Sequence, residues 1–332
     1  MIVVSTGCPA GIGPEVSVLA ASKLRAVEAV LVGDEGTLRA AAEAVGVSQR
    51  KLVPYDPHGR RKPGGIAVVN VGPSLSKADR RAGEPSLTAG RAQLAYVEEA
   101  YRLAKRLGRA ATVSGPVSKA AIAHSGARGA SSFRGHTEWL QKLDGAAHAI
   151  MCFAAPGLVT SLVTTHLPLH RVPRALTPPS VRDAIVELSL LLRVLGKRRP
   201  HIAVASLNPH AGESEMFGVE EARAIVPGMK AARAVLGRSA SLTGPVGAET
   251  AYRKMRAGAF DGVVAMYHDQ ATIPMKLVAF GDAVNVTMGL SVPRTSVDHG
   301  TAYDIAWTGK ADPSGMLAAM KLGERLANGR GR

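Results

Sequence analysis

The sequence predicts an α/β protein with largely parallel strands. Short apolar runs alternate with helical periods from one end to the other, several of the runs stop at loops rich in glycine or histidine, and no internal repeat or low-complexity tract breaks the pattern. A length of 332 residues suggests about two domains. With 46% hydrophobic and 20% charged residues, the chain can bury a sizeable core, which excludes the disordered class.

Read in order, Ile2–Ser5 is expected to be a strand, Pro14–Leu24 a helix, and Ala29–Gly33 a strand ending in Gly-Asp. Thr37–Val45 reads as helical, Ala67–Val71 as a strand, and Leu87–Leu107 as a long amphipathic helix. Ala111–Val113 is a short strand that runs into Ser114-Gly115-Pro116. Later come a helix at Val181–Leu195, a strand at His201–Ser206, a helix at Glu220–Leu236, a strand at Gly262–Met266 and a closing helix at Pro313–Leu326. His58–Gly65 is expected to be a loop and Gly329–Arg332 a frayed end.

No Asp, Glu, Lys or Arg occurs between Asp144 and Arg171, a span long enough to cross a bilayer. Pro156-Gly157 splits it, however, and β-rich runs at His148–Ala154 and Leu158–Thr165 flank that pair. A buried hairpin is therefore expected instead. Met1 runs straight into Ile2-Val3-Val4 with no basic segment, so no secretory signal is expected. Two cysteines, Cys8 and Cys152, make neither a disulfide framework nor a four-thiolate zinc site, and fit a reducing cytoplasm.

The formal net charge is +15, and residues 51–110 alone carry 12 basic and 5 acidic groups. Such a balance fits nucleic acid, a membrane surface or an anionic small substrate. A nucleic-acid binder interleaves its cations with aromatic rings for stacking. Here aromatics are 4%, and the cations (Arg60, Arg61, Lys62; Arg80, Arg81; Arg102, Lys105, Arg106) are scattered as on a solvated face. No specific nucleic-acid partner and no membrane partner is expected.

Four strand-to-loop transitions carry unusual polar sets, at the strand ends where α/β folds bind ligands. Gly7-Cys8-Pro9-Ala10-Gly11-Ile12-Gly13-Pro14-Glu15 is not a dinucleotide fingerprint, because Val16 stands where the third glycine belongs. It reads equally as an anion-binding helix start or a tight turn. In Gly135-His136-Thr137-Glu138, Thr137 is a candidate helix cap and His136 a candidate donor to a carboxylate or phosphate. His166, His210 and His268 each follow a separate strand, and neutral imidazoles so placed can hold a divalent ion with positions left open. Asp269 is a candidate partner to orient a histidine. Lys276, Asn285 and Arg294 form a candidate anion cradle, with surface ion pairs as the alternative. P-loop, H-E-x-x-H and G-x-S-x-G motifs are missing. The residues alone thus point to a metal-dependent enzyme acting on a small anion.

Taken together and in order, Gly7–Glu15, Gly135–Glu138, Thr165–Leu169, Leu207–Glu213, Met266–Gln270 and Arg294–Ala302 resemble the 4-hydroxythreonine-4-phosphate dehydrogenase family. The resemblance implies an isocitrate/isopropylmalate-dehydrogenase-like fold, with two α/β/α domains flanking a cleft, in a homodimer with shared active sites. The first domain is expected over 1–127 plus 300–332. The second, over 128–299, is expected to carry the metal ligands and dimer contacts, with Ala127–Arg134 as the crossing. The resemblance further implies NAD(P)+ and a divalent metal (Zn²⁺, Mg²⁺ or Co²⁺). The implied reaction oxidises the C3 hydroxyl of 4-(phosphooxy)-L-threonine and then decarboxylates it to 3-amino-2-oxopropyl phosphate, on the route to pyridoxal phosphate.

Carried over motif by motif, His166, His210 and His268 are the implied metal ligands, and His136, Thr137, Lys276, Asn285 and Arg294 the implied substrate contacts. Asp269 and Lys276 are candidates for the proton acceptor, and the cofactor-binding residues are not legible. The chain departs from the family in several places. Cys8 stands where Asp is usual, Ser214-Glu215-Met216 where Gly-Gly-His is usual, and Glu249 where Asp is frequent. Ala271-Thr272-Ile273-Pro274 replaces a common Gly-Leu-Pro-Val, and Ser291-Val292-Pro293 replaces Pro-Phe-Ile before Arg294. Related enzymes oxidise 4-phospho-D-threonate or 4-phospho-D-erythronate, which are alternative substrates.

Overall fold

The structure, a computed structural model, describes residues 1–24, 28–59, 64–279 and 281–329. The cations Arg60, Arg61 and Lys62, with the rest of 60–63 in the expected His58–Gly65 loop, and the expected fray at 330–332 lie outside the described residues. The chain forms two compact units, residues 1–147 with 290–332, and residues 148–289.

The first unit begins with β1 (Ile2–Ser5), α1 (Gly13–Lys23), β2 (Ala29–Gly33), α2 (Glu35–Ala44), β3 (Leu52–Pro54) and β4 (Ile66–Asn70). It continues with α3 (Leu87–Leu107), β5 (Ala111–Ser114), α4 (Lys119–His124) and α5 (His136–Asp144). In the second unit, β6 (Ile150–Ala155), β7 (Leu158–Leu162), α6 (Val172–Ala175) and α7 (Pro178–Val194) precede β8 (His201–Ala205), α8 (Val226–Leu236) and β9 (Ser241–Val246). After α9 (Ala248–Arg256), β10 (Gly262–Ala265), α10 (His268–Ala279) and β11 (Val284–Met288), the chain returns to the first unit as β12 (Arg294–Val297) and α11 (Ser314–Gly329).

Strands of the first unit lie in the order β3-β4-β2-β1-β5-β12, all parallel. Every residue of β1 and β5 is buried, as a parallel sheet covered by helices requires. α3 packs on β1, β2 and β5, while α11 packs on β5 and β12. α3 starts where Ser86 Oγ accepts from Ala89 N at 3.0 Å and stops at Gly108, whose φ of 72° ends the helical path.

The second unit has the order β11-β6-β7-β10-β8-β9. β6 and β7 form the expected buried hairpin around Pro156-Gly157, and β6 is also antiparallel to β11; the remaining pairs are parallel. Its core gathers Met151, Phe153, Leu158, Leu162, Tyr252, Val263 and Met275. The helix expected over Glu220–Leu236 opens instead with a π turn at Glu221–Ile225, and Pro227 stands in the first turn of α8. Proline has no N–H, so the regular ladder is interrupted there and a wider turn takes its place. Among the described residues, no helix is long and apolar enough to cross a membrane.

The unit boundaries differ from those expected. Segments 128–147 and 290–299, expected in the second domain, belong to the first unit. Ala127–Arg134 is therefore not a crossing: Phe133 is 1% exposed in a cluster with Leu94, Ile122 and Ala130, and β12 pairs with β5. Small and basic residues in that stretch look like a linker in sequence, but its one aromatic ring anchors it.

Candidate active site

In the first unit, the residues of interest gather near β5 and the start of α5. Arg294 opens β12, is 4% exposed, and donates from Nε to Ser114 Oγ at 3.1 Å. A surface ion pair is excluded for it. Burial lowers its guanidinium pKa to about 10 while the Glu138 carboxylate acts the other way, so it stays charged at neutral pH. His136 is the first residue of α5, packed edge-on to Phe133 with ring centroids 6.0 Å apart. Its Nε2 is buried and has no partner. Burial, followed by the charges of Arg294 and Lys119, holds its pKa well below the usual histidine range, so the ring is neutral. Thr137 is buried inside the first turn of α5, and Gly135 is the N-cap with no side-chain cap, so Thr137 is not the cap residue.

The glycine-bearing turn after β1 is a junction. Gly7, at φ 80°, lies against the loop leaving β5, and a Cβ there would stand 2.4 Å from Pro116 O. Cys8 N donates to Pro116 O at 2.8 Å, and Ile12 N to Thr301 O at 3.0 Å, joining two of the motifs singled out in sequence. Glu15, fully buried in the first turn of α1, accepts from Trp307 N at 2.7 Å and Gly309 N at 3.1 Å. That carboxylate already supplies the negative charge a helix start attracts, which favours the tight-turn reading of Gly7–Glu15. Cys8, in place of an Asp, is buried with Sγ 3.7 Å from Tyr303 Oη; burial raises its pKa, so it is a thiol.

In the second unit, β7, β10 and β8 are neighbours, and the three histidines follow their C-terminal ends. Thr164 donates from N and Oγ1 to Met266 O at 3.2 and 2.8 Å, which ties the end of β7 to that of β10. Gln270 accepts from Met266 N at 2.6 Å and donates to Ser206 O at 2.8 Å, tying β10 to β8. The rings of His166 and His268 come together with centroids 5.7 Å apart. His268 Nδ1 faces Asp269 Oδ1 at 2.7 Å. A ring held through Nδ1 presents Nε2 outward, the arrangement of a metal-ligating histidine with its carboxylate partner.

His210 is not brought to that pair. Among the described residues no group of three His, Cys, Asp or Glu side chains is placed to hold a metal. His210 opens a run of left-handed residues, with φ of 50° at His210, 55° at Ala211, 39° at Glu213, 55° at Ser214 and 71° at Glu215. Two carboxylates brace the loop from below: Leu207 N and Asn208 N donate to Glu221 Oε1 at 2.9 and 2.8 Å, and Asn208 Nδ2 donates to Glu220 Oε2 at 2.8 Å. Two imidazoles on one tetrahedral ion put their ring centroids about 5 Å apart, so His166 and His268 fit a shared divalent ion as a two-ligand set.

Lys276 is exposed on α10, eight residues after His268 and on the same helical face. Asn285 lies on β11 with its Oδ1 buried and without a partner. Orphaned buried polar atoms such as this one and His136 Nε2 are what a ligand satisfies. The sequence reading missed Ser114, Lys119, Gln270, Glu220 and Glu221. Gln270 stood inside a quoted motif, and only its place beside His268 hinted at a role.

A family model described as pyridoxal phosphate biosynthetic protein PdxA matches residues 25–323. The chain belongs to the PdxA family. It is 40% identical over 327 residues to the 4-hydroxythreonine-4-phosphate dehydrogenase of Desulfosudis oleivorans, covering 97% of this chain and 94% of that one. It is 36% identical to the D-threonate 4-phosphate dehydrogenase of Pectobacterium atrosepticum, covering 98% and 99%. The crystal structure of the Klebsiella pneumoniae 4-hydroxythreonine-4-phosphate dehydrogenase superposes with a TM-score of 0.82 at 36% identity, covering 98% and 99%. PdxA membership makes the α/β fold one of the isocitrate/isopropylmalate-dehydrogenase-like class, as the motifs implied.

Proposed function

We propose that this chain is an NAD(P)-dependent dehydrogenase that oxidises the C3 hydroxyl of 4-(phosphooxy)-L-threonine, giving a β-keto acid that loses CO₂ to leave 3-amino-2-oxopropyl phosphate. The observation that carries this reading is the match along nearly the whole chain to relatives of that name. When bound, a divalent ion (Zn²⁺, Mg²⁺ or Co²⁺) would supply Lewis acidity at the C3 oxygen and NAD(P)+ would supply the hydride acceptor. His166 and His268 would hold the ion, and the third imidazole would come across an interface between two copies. Asp269 keeps the His268 ring turned with Nε2 outward. Arg294, His136 and Thr137 bind the substrate's anionic end, and Asn285 orients its polar backbone. Of the two candidate proton acceptors, Asp269 is engaged with His268, and the Lys276 side chain leans toward the N-terminal end of its helix, here the His268 end.

The shared site is supported by exposed apolar side chains near each of His166, His210 and His268. Leu167 and Leu169 follow His166, Met216 and Phe217 follow His210, and Ile273 and Leu277 lie on α10 beyond His268; Leu277 is 82% exposed. Large apolar groups left in water around a site are what an interface covers. A cytoplasmic location is supported by two free, buried cysteines.

A second reading, oxidation of 4-phospho-D-threonate, is favoured by the Pectobacterium relative, and 4-phospho-D-erythronate is the further alternative. These compounds share the phosphate and C3 hydroxyl and differ at C2. Pure protein incubated with divalent metal, NAD+ or NADP+ and each phosphorylated hydroxy acid separates the readings by formation of reduced cofactor. Turnover of none of them refutes both.

A further inference from the structure

We propose that Lys119 is a further binding residue of the first unit's anion site, where its ammonium completes the cation set for a phosphate group. The inference rests on the reading above, in which the substrate carries a phosphate.

Lys119 is the first residue of α4, five positions past Ser114 on the loop leaving β5. Its backbone is held from below. Ser118 N donates to Oε1 of the fully buried Gln93 at 2.8 Å, and Ser118 Oγ accepts from Ala121 N at 3.2 Å. The Lys119 side chain is exposed and makes no hydrogen bond or ion pair among the described residues. The α3 cation beside α4 is engaged, since Arg91 donates to Ser125 O at 2.8 Å. Ile122 of the same helix packs with Phe133, the ring that His136 meets edge-on, and Arg294 is bonded to Ser114 at the head of the loop, so the start of α4 lies toward His136 and Arg294.

Charge accounting then requires it. A phosphate monoester carries about −1.5 to −2 near neutral pH. Arg294 supplies one positive charge, but Glu138 acts on it with a negative one, and His136 is neutral. Without Lys119 the side chains sum to about zero, and the start of α5 adds only about half a charge. With Lys119 the site is net positive. A neutral His136 protonated at Nε2 donates to a phosphate oxygen, which would satisfy its orphaned buried nitrogen. A lysine at the rim, a compact charge on a flexible stem, suits a dianion that arrives hydrated.

The test is direct binding of inorganic phosphate to the intact protein, by calorimetry or phosphorus NMR. Wild type binds in the millimolar range or tighter. Lys119→Ala weakens binding about tenfold, the low end for loss of a charge-assisted contact, and Lys119→Arg recovers most of it. Raising the salt concentration narrows the gap between wild type and Lys119→Ala. Because Lys119 is exposed and without partners, unchanged thermal unfolding identifies the variants as folded. Equal phosphate affinity in wild type and Lys119→Ala overturns the assignment, and so does a wild type that binds no phosphate. Turnover of the phosphorylated hydroxy acids is scored separately, so failure of the catalytic reading shows as no reduced cofactor with phosphate binding intact.

Discussion

The left-handed loop that carries His210 makes a sharp prediction about stability. Ser214 and Glu215 adopt φ of 55° and 71°, both side chains are exposed, and neither makes a hydrogen bond among the described residues. An L-residue held in that region costs about 1–2 kcal/mol relative to its right-handed state. Glycine removes that cost but loses about 0.5–1 kcal/mol of backbone entropy on folding. Each replacement should therefore gain about 0.5–1 kcal/mol, and Ser214→Gly with Glu215→Gly about 1–2 kcal/mol. For units of this size that is a rise of about 2–8 °C in Tm. Differential scanning calorimetry of the double variant checks it. A Tm unchanged or lowered would mean that the loop is not held left-handed in solution, and would refute the argument. The glycines usual in the family at these two positions are, on this reasoning, the unstrained choice.

Three further outcomes are expected. Arg294→Ala should lower kcat/KM about ten- to a hundredfold, the loss of ~1.5–3 kcal/mol for a buried charge-assisted contact, while metal content measured by plasma emission stays normal. His268→Ala should deplete bound metal and abolish turnover, and Asp269→Asn should weaken metal affinity about 10–100-fold by freeing the ring it orients; full metal occupancy in His268→Ala would disprove the ligand set. The depressed pKa of His136 means that the unfolded chain binds a proton more readily than the folded one. Its contribution to stability is thus complete above the ordinary histidine value of 6.5 and is lost as pH falls below it. Wild-type Tm should drop more steeply than that of His136→Gln between neutral pH and pH about 5.

Much of the fold was legible because buried parallel strands are short apolar runs, and β1, β2, β5, β8 and β10 stand out as such. β9 and β12 did not, since Ser241–Val246 contains Gly244-Pro245 and Arg294–Val297 is mostly polar, with their identity fixed by neighbours distant in sequence. α10 was hidden by Pro274 inside it. The site was legible where a motif holds the functional group itself. Meeting of His166 and His268 depends on β7 lying beside β10, which no local pattern states. Positioning by Gln270 and Glu221 was invisible for the same reason, and Lys119 looked like one cation among many. The domain boundary was misplaced because Phe133, a single ring in a polar stretch, outweighs its neighbours.

The chain leaves the first unit after Ala147 and comes back at Leu290. His148 and Gly289, the ends of the inserted unit, sit side by side, with the Gly289 Cβ position 2.8 Å from His148 O. During synthesis this routing opens a time gap. β5 emerges with one side of its ladder unfilled, and the strand that fills it brings Arg294 to Ser114 from 180 residues away. At roughly 5–20 residues per second the ribosome needs about 10–40 seconds to deliver it. Throughout that interval the nascent first unit presents a bare parallel strand edge, while the insert, whose own strands are contiguous in the chain, is free to fold. The newborn polypeptide should therefore depend most on holdase chaperones in a window that opens when β5 clears the exit tunnel and closes with β12.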